Sequence, residues 1–519
     1  MAAFLTFYDG ADCIGGNKIL LEDGGAALLL DFGANFKAEG MYFDEFLKPR
    51  SIFGFSDLLA LGILPPLKGL YRHDSEYPGV WEKYSGQPQF REVEVHGVLL
   101  SHAHFDHCGH FVYLRRDIPV YTSLSSTAIC KALQDTGNGE VCYTIPRELK
   151  DGLIRTADYR HFPAEQRPFR AFGWGNVTPE MASFWKRCDA SRILCSRPLE
   201  ACGNETEIAD LTVRFWPVDH SVPGAGAFGI KTSAGWVIYT GDLRLHGKSA
   251  YLTRQFIDEA AKLKPAILIC EGTHPKVEKP LTEEEVAANC FEVVKKARDL
   301  VVADFGPRNA ERLLSFLEIA RETDRLLVLT PKDVYLLEAL RMAGEPGVPD
   351  PCADGRITLY VRPKAMRQKW EDALLARFGA RAPERLVDAA KVKTDQRSFI
   401  LCFSYYDFHA FLDIEPRGGT YIYSSSEAFN EEMLLDHEKV RNWIDFFGFR
   451  LYGTLGRYRE KSGFHASGHI HGPGLEELVE TTRPEVLIPV HTESREFFRR
   501  FAGICRVVWP NRGKPVAVE

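Results

Sequence analysis

The run SHAHFDHCGH at residues 101–110 places four histidines and one aspartate within ten positions. Crowded imidazoles repel one another once they are protonated, so such a run needs a partner that holds it together. Neutral imidazole and carboxylate are side-chain groups that Zn²⁺ accepts as ligands. The spacing H-x-H-x-D-H therefore indicates a metal site, and the density of donors favours two ions. The donors in this run are His102, His104, Asp106 and His107.

Two further donors follow later apolar runs in the same way. His220 comes near the end of LTVRFWPVDHS (211–221), and Asp242 ends GWVIYTGD (235–242). One motif cannot fill two coordination shells, so more ligands are required from elsewhere in the chain. We therefore expect His220 and Asp242 to join the first four donors.

Short aliphatic runs that stop at a polar residue recur through the first half of the chain. We interpret them as buried strands of a layered α/β fold, because such folds carry their sites on the loops at the carboxyl ends of strands. The runs are 26–33, 93–104, 211–221, 235–242 and 265–273.

After Thr273 the pattern changes to helices that alternate with strands. The segment 281–300 is amphipathic and begins with Thr282 as an N-cap before three glutamates. This alternation predicts a second α/β domain, which divides the chain into 1–275, 276–455 and 456–519. Neither the strand-like runs nor the helix–strand alternation continues through two segments, 40–92 and 145–206. We interpret both as partly helical insertions on the first domain.

The composition is that of a globular protein, with 45% apolar and 26% charged residues. A net charge of −7 argues against a generally basic nucleic-acid binder, although metal ions and a few arginines could still bind phosphates locally. The 12 cysteines form no CxxC pair, and no apolar run is long enough to span a bilayer. We therefore expect a cytoplasmic protein with reduced cysteines and no membrane partner.

The ordered motifs HAHFDH, VDHS and TGD, preceded by LLLDFG (28–33), resemble the signature of the metallo-β-lactamase fold. The resemblance implies a four-layer αβ/βα sandwich with two metal ions at one edge. It implies that Asp242 bridges the ions and that Asp31 orients ligands. The implied ligands of the first ion are His102, His104 and His220, and those of the second are Asp106 and His107.

The last third of the chain resembles the β-CASP nucleases, whose inserted domain is α/β. Glu271 of ICEGT matches their motif A, His469 of SGH matches motif B, and His491 matches motif C. His491 also ends the strand-like run EVLIPV, which makes it a candidate last ligand of the second ion. A histidine at motif C accompanies the members of this superfamily that process RNA.

Within these nucleases the chain is most similar to the ribonuclease J group. The segment 8–33 is similar to its glycine-rich opening, with Cys13 where a glutamate is usual. DFGPRNAERLL (304–314) resembles its phosphate-contacting element, and YIYSSSEAFNEE (421–432) resembles its serine-rich loop, with departures at a proline and a glycine. The implied RNA phosphate-binding residues are Asn309, Arg312, Ser424, Ser425 and Ser426.

The resemblance implies a ribonuclease that hydrolyses phosphodiester bonds with a hydroxide bridging two Zn²⁺ ions, for which Mn²⁺ or Mg²⁺ are alternatives. The expected catalytic residues are Asp106, His469 and Glu271. The expected substrate is single-stranded RNA, including RNA with a 5′-monophosphate. We expect degradation in the 5′-to-3′ direction, and we leave open both an additional endonuclease activity and a homodimer. A DNA nuclease, a small-ester metallohydrolase and a non-catalytic scaffold are the alternatives.

Overall fold

The computed structural model describes residues 3–137, 139–173, 177–189, 193–426, 431–456 and 462–518. Two large sheets pack face to face, and their strands are assembled from both ends of the chain. Across the first sheet the strands are Glu200–Cys202, Phe169–Phe172, Val120–Ser123, Gly97–Leu99, Ala26–Leu30, Lys18–Asp23, Ala3–Asp9 and Pro515–Val518. Across the second sheet they are Glu205–Ile208, Leu211–Pro217, Gly226–Thr232, Gly235–Tyr239, Ile267–Glu271, Val486–Val490 and Arg506–Val507.

Helices cover the outer face of each of these two sheets. The inner faces share one apolar cluster, in which Leu28 and Leu30 of the first sheet lie with Phe228 of the second. The helix Leu124–Thr136 packs outside the first sheet, and the helices Ala250–Lys262 and Gly472–Thr482 pack outside the second. This arrangement is the four-layer αβ/βα sandwich expected of the metallo-β-lactamase fold.

A third sheet lies in the middle of the chain, and all its strand pairings are parallel. Its strands, in order, are Leu386–Val387, Ile357–Tyr360, Leu326–Leu329, Phe399–Leu401, Val301–Asp304, Gly419–Tyr423 and Phe449–Tyr452. Its longer helices are Glu283–Lys296, Ala310–Glu322, Pro331–Met342, Lys369–Arg381 and Glu431–Phe446. The first of these begins with the predicted N-cap, because Thr282 and Glu285 form a reciprocal capping box.

Shorter elements complete the part of the chain that the structure describes. The short helices are Phe36–Gly40, Ser56–Ala60, Phe105–Cys108, Pro179–Lys186, Ala389–Thr394, Ala410–Ile414 and Arg495–Phe498. The peripheral strands are Leu67–Lys68, Arg91–Glu92, Tyr143–Thr144, Arg147–Lys150, Leu153–Thr156, Ala164–Gln166 and Leu194–Cys195. The segment 145–206 is thus richer in strand than in helix, and two of its strands extend the first sheet. Among the described residues no helix combines the length and apolarity needed to traverse a bilayer.

A buried ionic network attaches the helices of the third sheet to the sandwich. Glu283 accepts hydrogen bonds from Arg244 Nη1 at 2.9 Å and from Arg312 Nη2 at 2.7 Å. Arg244 also contacts Asp219 Oδ1 at 3.2 Å and pairs with Glu311. The side chains of Arg244, Glu283 and Arg312 have no exposed surface. Removing one partner would leave two guanidinium groups buried without their shared carboxylate.

Replacing Glu283 by Ala should therefore destabilise the protein by about 3–5 kcal/mol. The matched control is Glu284→Ala, because Glu284 lies in the same helical turn and is exposed. Thermal melting followed by circular dichroism should show a large drop for the first variant and a change within about 0.5 kcal/mol for the control. Equal melting temperatures for the two variants would contradict the role of this network.

Candidate metal centre

The predicted donors meet at one edge of the sandwich because each follows the carboxyl end of a strand. His102 and His104 follow Gly97–Leu99, His220 follows Leu211–Pro217, Asp242 follows Gly235–Tyr239 and His491 follows Val486–Val490. The last two of these strands flank Ile267–Glu271 in the second sheet, and the parallel pairing places Glu271 opposite Val490. The fold thus brings donors from widely separated parts of the chain to one place. The donor atoms form three overlapping groups, which are His102, His104, His220 and Asp242; Asp106, His107, Asp242 and His491; and Asp242, Glu271, His469 and His491.

In the first group three imidazole nitrogens converge. His104 Nδ1 lies 2.9 Å from His102 Nε2 and 3.2 Å from His220 Nε2. Ligands at the usual Zn–N distance around a tetrahedral ion are separated by about 3.3 Å. These separations are close to that value, so the three lone pairs can point at one cation.

The second group also contains Asp242. Its Oδ2 is 3.2 Å from His107 Nε2 and 3.8 Å from His491 Nε2. Asp106 Oδ2 is 3.2 Å from His491 Nε2 and 3.8 Å from His107 Nε2. One carboxylate and two imidazoles therefore lie around Asp242 in this group, and His102 Nε2 of the first group is 3.7 Å from the same Asp242 oxygen.

The polar atoms at the centre of this cluster are the test of whether a metal ion fits. Both carboxylate oxygens of Asp242 and the Nε2 of His107 are buried, and apart from their 3.2 Å approach to each other they have no hydrogen-bond partner among the described residues. A buried carboxylate without partners is costly, and buried polar atoms nearly always have them. A cation between these donors would satisfy them all, so the donor set fits divalent metal ions.

Hydrogen bonds behind the ligands fix their orientation. His107 Nδ1 donates to Asp31 Oδ2 at 2.7 Å, which turns its Nε2 toward Asp242. Asp31 also accepts from the hydroxyl of Tyr239 at 2.5 Å and from the backbone N–H of Ser101 at 2.7 Å. Its backbone is held in the left-handed region, with φ of 57°. The predicted orienting role of Asp31 agrees with this geometry.

Two other predicted ligands, His220 and His491, are oriented by neutral acceptors. His220 Nδ1 donates to the carbonyl of Gly468 at 2.5 Å, which leaves Nε2 free to face His104. His491 Nδ1 lies 2.9 Å from Thr273 Oγ1, whose hydroxyl is also 2.9 Å from Glu271 Oε2. Sequence reasoning missed Thr273, Ser101 and Tyr239. Thr273 and Ser101 adjoin recognised motifs, whereas Tyr239 lies inside a strand and gives no signal in the sequence.

Burial and neighbouring charges set the protonation states. Burial lowers the pKa of His102 and of His104 well below the usual value, so both are neutral and able to coordinate. Burial also opposes the charge on His107, but the carboxylates of Asp242 and Asp31 outweigh it and raise that pKa. Burial would raise the pKa of Asp242, yet His491 and His107 hold it well below the usual range. The centre is therefore anionic at its middle, which favours a cation there.

His469 lies beside the ligands and is oriented by an acid. Its Nδ1 is 3.2 Å from Glu271 Oε1 and 3.7 Å from Asp242 Oδ2. Burial disfavours the protonated form of His469, but the carboxylates of Glu271 and Asp242 favour it more strongly and raise the pKa of His469 to about 9. Its side chain is 20% exposed, more than the buried ligands His107 and His491. This placement suits a group that exchanges a proton at the surface of the centre.

The predicted phosphate-binding residues have different environments. Asn309 is the N-cap of the helix Ala310–Glu322 and accepts from the backbone of Arg312. Arg312 is buried and donates to Glu283, to the carbonyl of Phe464 and to Ser424. This geometry gives Asn309 and Arg312 contacts within the protein rather than donors directed at a phosphate. Ser424 is buried with them.

Ser425 and Ser426 are partly exposed, unlike Ser424. The segment that contains them lies close to the motif with His469, because His465 Nδ1 is 3.2 Å from the carbonyl of Ser424. Residues 427–430 of the predicted serine-rich loop lie outside the described residues.

Replacing Asp242 by Asn should lower bound metal sharply, because one carboxylate serves two donor groups. His469→Ala should leave metal content close to that of the wild type if His469 handles protons. Elemental analysis of metal-saturated protein after gel filtration measures both. His491→Ala is the control that should lose metal. If His469→Ala loses as much metal as His491→Ala, then His469 is a ligand instead.

Comparisons with known proteins agree with this geometry. No family model matches the chain. Ribonuclease J 2 from Streptococcus pyogenes serotype M3 is 23% identical over 303 residues, which cover 56% of this chain and 49% of that protein. Ribonuclease J from Corynebacterium glutamicum is 25% identical over 296 residues, which cover 54% of this chain and 36% of that protein. Each match thus takes in half or less of the curated relative's length.

A crystal structure of a protein of unknown function from Enterococcus faecalis V583 shares the fold. Its TM-score is 0.67 with 20% identity, and the match covers 100% of both chains. The sequence matches and the metal-binding donor groups point the same way: the chain is related to proteins named ribonuclease J.

Proposed function

We propose that this protein is a metal-dependent ribonuclease that hydrolyses RNA phosphodiester bonds. The observation that carries the proposal is the buried carboxylate of Asp242, which two groups of metal donors share while His469 and Glu271 lie beside it. Similarity to two proteins named ribonuclease J supports RNA as the substrate. The histidine at position 491 supports the same choice.

The residues that would hold two ions are those of the first two donor groups, with Asp242 in both. We propose zinc, with manganese or magnesium as alternatives, since imidazole and carboxylate suit these ions to different degrees. When bound, such ions supply Lewis acidity and bring the pKa of a coordinated water toward neutrality. Asp106 would act both as a ligand and as a catalytic residue that orients the nucleophile.

His469 would hold a proton for the leaving oxygen. Glu271 lies 3.2 Å from its Nδ1, so the carboxylate fixes the ring and stabilises its charged form. The other ring nitrogen is then available for the strand that is being cut. General-acid help of this kind is typically worth about 10²–10⁴ in rate.

We further propose that the third sheet and its helices act as the β-CASP domain of residues 276–455 and form one wall of a cleft for single-stranded RNA. Ser425 and Ser426 would bind the phosphate at a 5′ end, with Asn309, Arg312 and Ser424 fixing the segment that carries them. This arrangement favours 5′-to-3′ exonuclease action on monophosphorylated RNA, with internal cleavage as a second activity.

A DNA nuclease is the second candidate, because metal ions and phosphate contacts do not recognise a 2′-hydroxyl. A small-ester hydrolase is less well supported, since the third sheet would then have no role in binding a polymer.

Matched RNA and single-stranded DNA, each labelled at the 5′ end, separate these candidates. The RNA should be degraded in the presence of added zinc or manganese, and a chelator should abolish the activity. DNA cleaved at the same rate as RNA would favour the second candidate. Full activity after exhaustive chelation would exclude a metal-dependent mechanism.

Replacing Ser425 and Ser426 together by Ala should slow degradation of 5′-monophosphate RNA by about tenfold, since hydrogen bonds to a charged phosphate are the stronger kind. Cleavage of a circular RNA of the same sequence should be unchanged, because a circle offers no 5′ end. Equal loss on the linear and circular substrates would place these serines outside a 5′-phosphate pocket.

A further inference from the structure

One arginine of the third-sheet region reaches the metal-binding loop of the sandwich. Arg308 lies between the strand Val301–Asp304 and the helix Ala310–Glu322. Its Nη1 donates to the backbone carbonyl of Ala103 at 3.0 Å. Its guanidinium also lies 4.9 Å from the centre of the Phe105 ring. Ala103 and Phe105 flank His104, so this cation touches both neighbours of a proposed ligand.

The charge of Arg308 has no counterpart comparable to those of the other arginines nearby. Arg244 and Arg312 are buried and each forms close ion pairs with carboxylates. Among the described residues, by contrast, no carboxylate oxygen comes within 4.0 Å of the Arg308 guanidinium. Arg308 is also partly exposed, so an anion from solution can reach the N–H groups that the protein leaves unused.

The unused N–H groups of Arg308 determine which kind of anion would bind there. A guanidinium carries five N–H groups in a rigid fork, and the described contacts use one of them, on Ala103. Stacking on Phe105 holds the plane of the group, which limits the entropy lost when a ligand binds. Such a fixed fork matches two oxygens of a phosphate group better than a single-point anion does.

We propose that Arg308 forms an anion subsite at the metal centre, which takes one phosphate of the substrate strand within about a nucleotide of the cleaved bond. This inference rests on the proposed function, because it names a contact of the same active site. The subsite is supplied by the third-sheet region, whereas the metal donors come from the sandwich. The attachment of the two parts through Glu283 therefore also positions a cation against the substrate.

The variants Arg308→Ala and Arg308→Lys test the subsite, with Arg298→Ala as a matched control. Arg298 belongs to the same part of the chain and is exposed. Arg308→Ala should lower kcat/KM on RNA by about 10². Arg308→Lys should restore activity only in part, and metal content and melting temperature should match those of the wild type. The control should cleave RNA at the wild-type rate.

A series of RNAs that each carry one neutral methylphosphonate locates the contact. At one position near the cleaved bond, the methylphosphonate should lower the activity of the wild type by the same factor by which Arg308→Ala lowers activity on unmodified RNA. The same methylphosphonate should not lower the activity of Arg308→Ala any further. A variant that loses activity by the same factor on every substrate of the series would overturn the subsite. So would a loss of bound metal or a lowered melting temperature, since both would indicate a structural role.

Binding without turnover separates this inference from the proposed function. With chelator present, fluorescence anisotropy of a labelled single-stranded RNA should give a weaker affinity for Arg308→Ala and a salt slope lower by about 0.7, the value for one phosphate contact. A wild type that binds the RNA but does not cut it after metal is restored would overturn the proposed function and leave the subsite standing. Unchanged affinity and slope for the variant would overturn the subsite. A wild type that does not bind RNA would overturn both.

Discussion

The carboxylate of Asp242 is the constraint on which the rest of the centre depends. It is buried, its oxygens have no ordinary hydrogen-bond partner within the described part of the chain, and histidines from four separate segments lie around it. A buried carboxylate is costly unless neighbouring positive charge balances it, and the surrounding histidines favour its charged form. The strand ends, the tautomers set by Asp31 and by the Gly468 carbonyl, and the depressed basicity of His102 are all arranged around that requirement.

The loop that contains Asp242 also contains a buried group of opposite charge. Two residues after Asp242, Arg244 is fully buried and contacts Asp219, Glu283 and Glu311. Asp219 precedes the donor His220, and Arg244 Nη1 also bonds the carbonyl of Ser467, two residues before His469. A single guanidinium thus links the loop that carries His220, the segment that carries His469 and the helices of the third sheet. Movement of any one of these parts would disturb the others.

Much of the centre could be predicted from the sequence because its donors obey a simple rule. Each lies where an apolar strand ends, and the carboxyl ends of neighbouring parallel strands meet at one edge. The residues that the sequence did not reveal do not lie at strand ends in that pattern, and they act through contacts between segments that are far apart in the chain. Tyr239 reaches Asp31 from inside a strand, and Thr273 links Glu271 to His491 only because two parallel strands are adjacent.

The motif with Asn309 and Arg312 shows a different limit. Its residue types are correct for phosphate contacts, but the sequence cannot say which way a side chain points. In the structure Arg312 faces inward to Glu283, while the neighbouring Arg308 faces the metal loop. Four positions along one segment thus separate an arginine that pairs inside the protein from one that contacts the loop carrying His102 and His104.

The pairing of Ile267–Glu271 with Val486–Val490 also determines when the centre can form during synthesis. These strands are more than 200 positions apart, and the sheet in which they pair supplies His220, Asp242 and His491. Local contacts form early in folding, whereas such distant pairings must await the emergence of both partners. The nascent chain therefore has most of its donors but lacks a complete donor set until the strand before His491 has left the ribosome. The proposed metal centre therefore cannot assemble before that strand is available to pair.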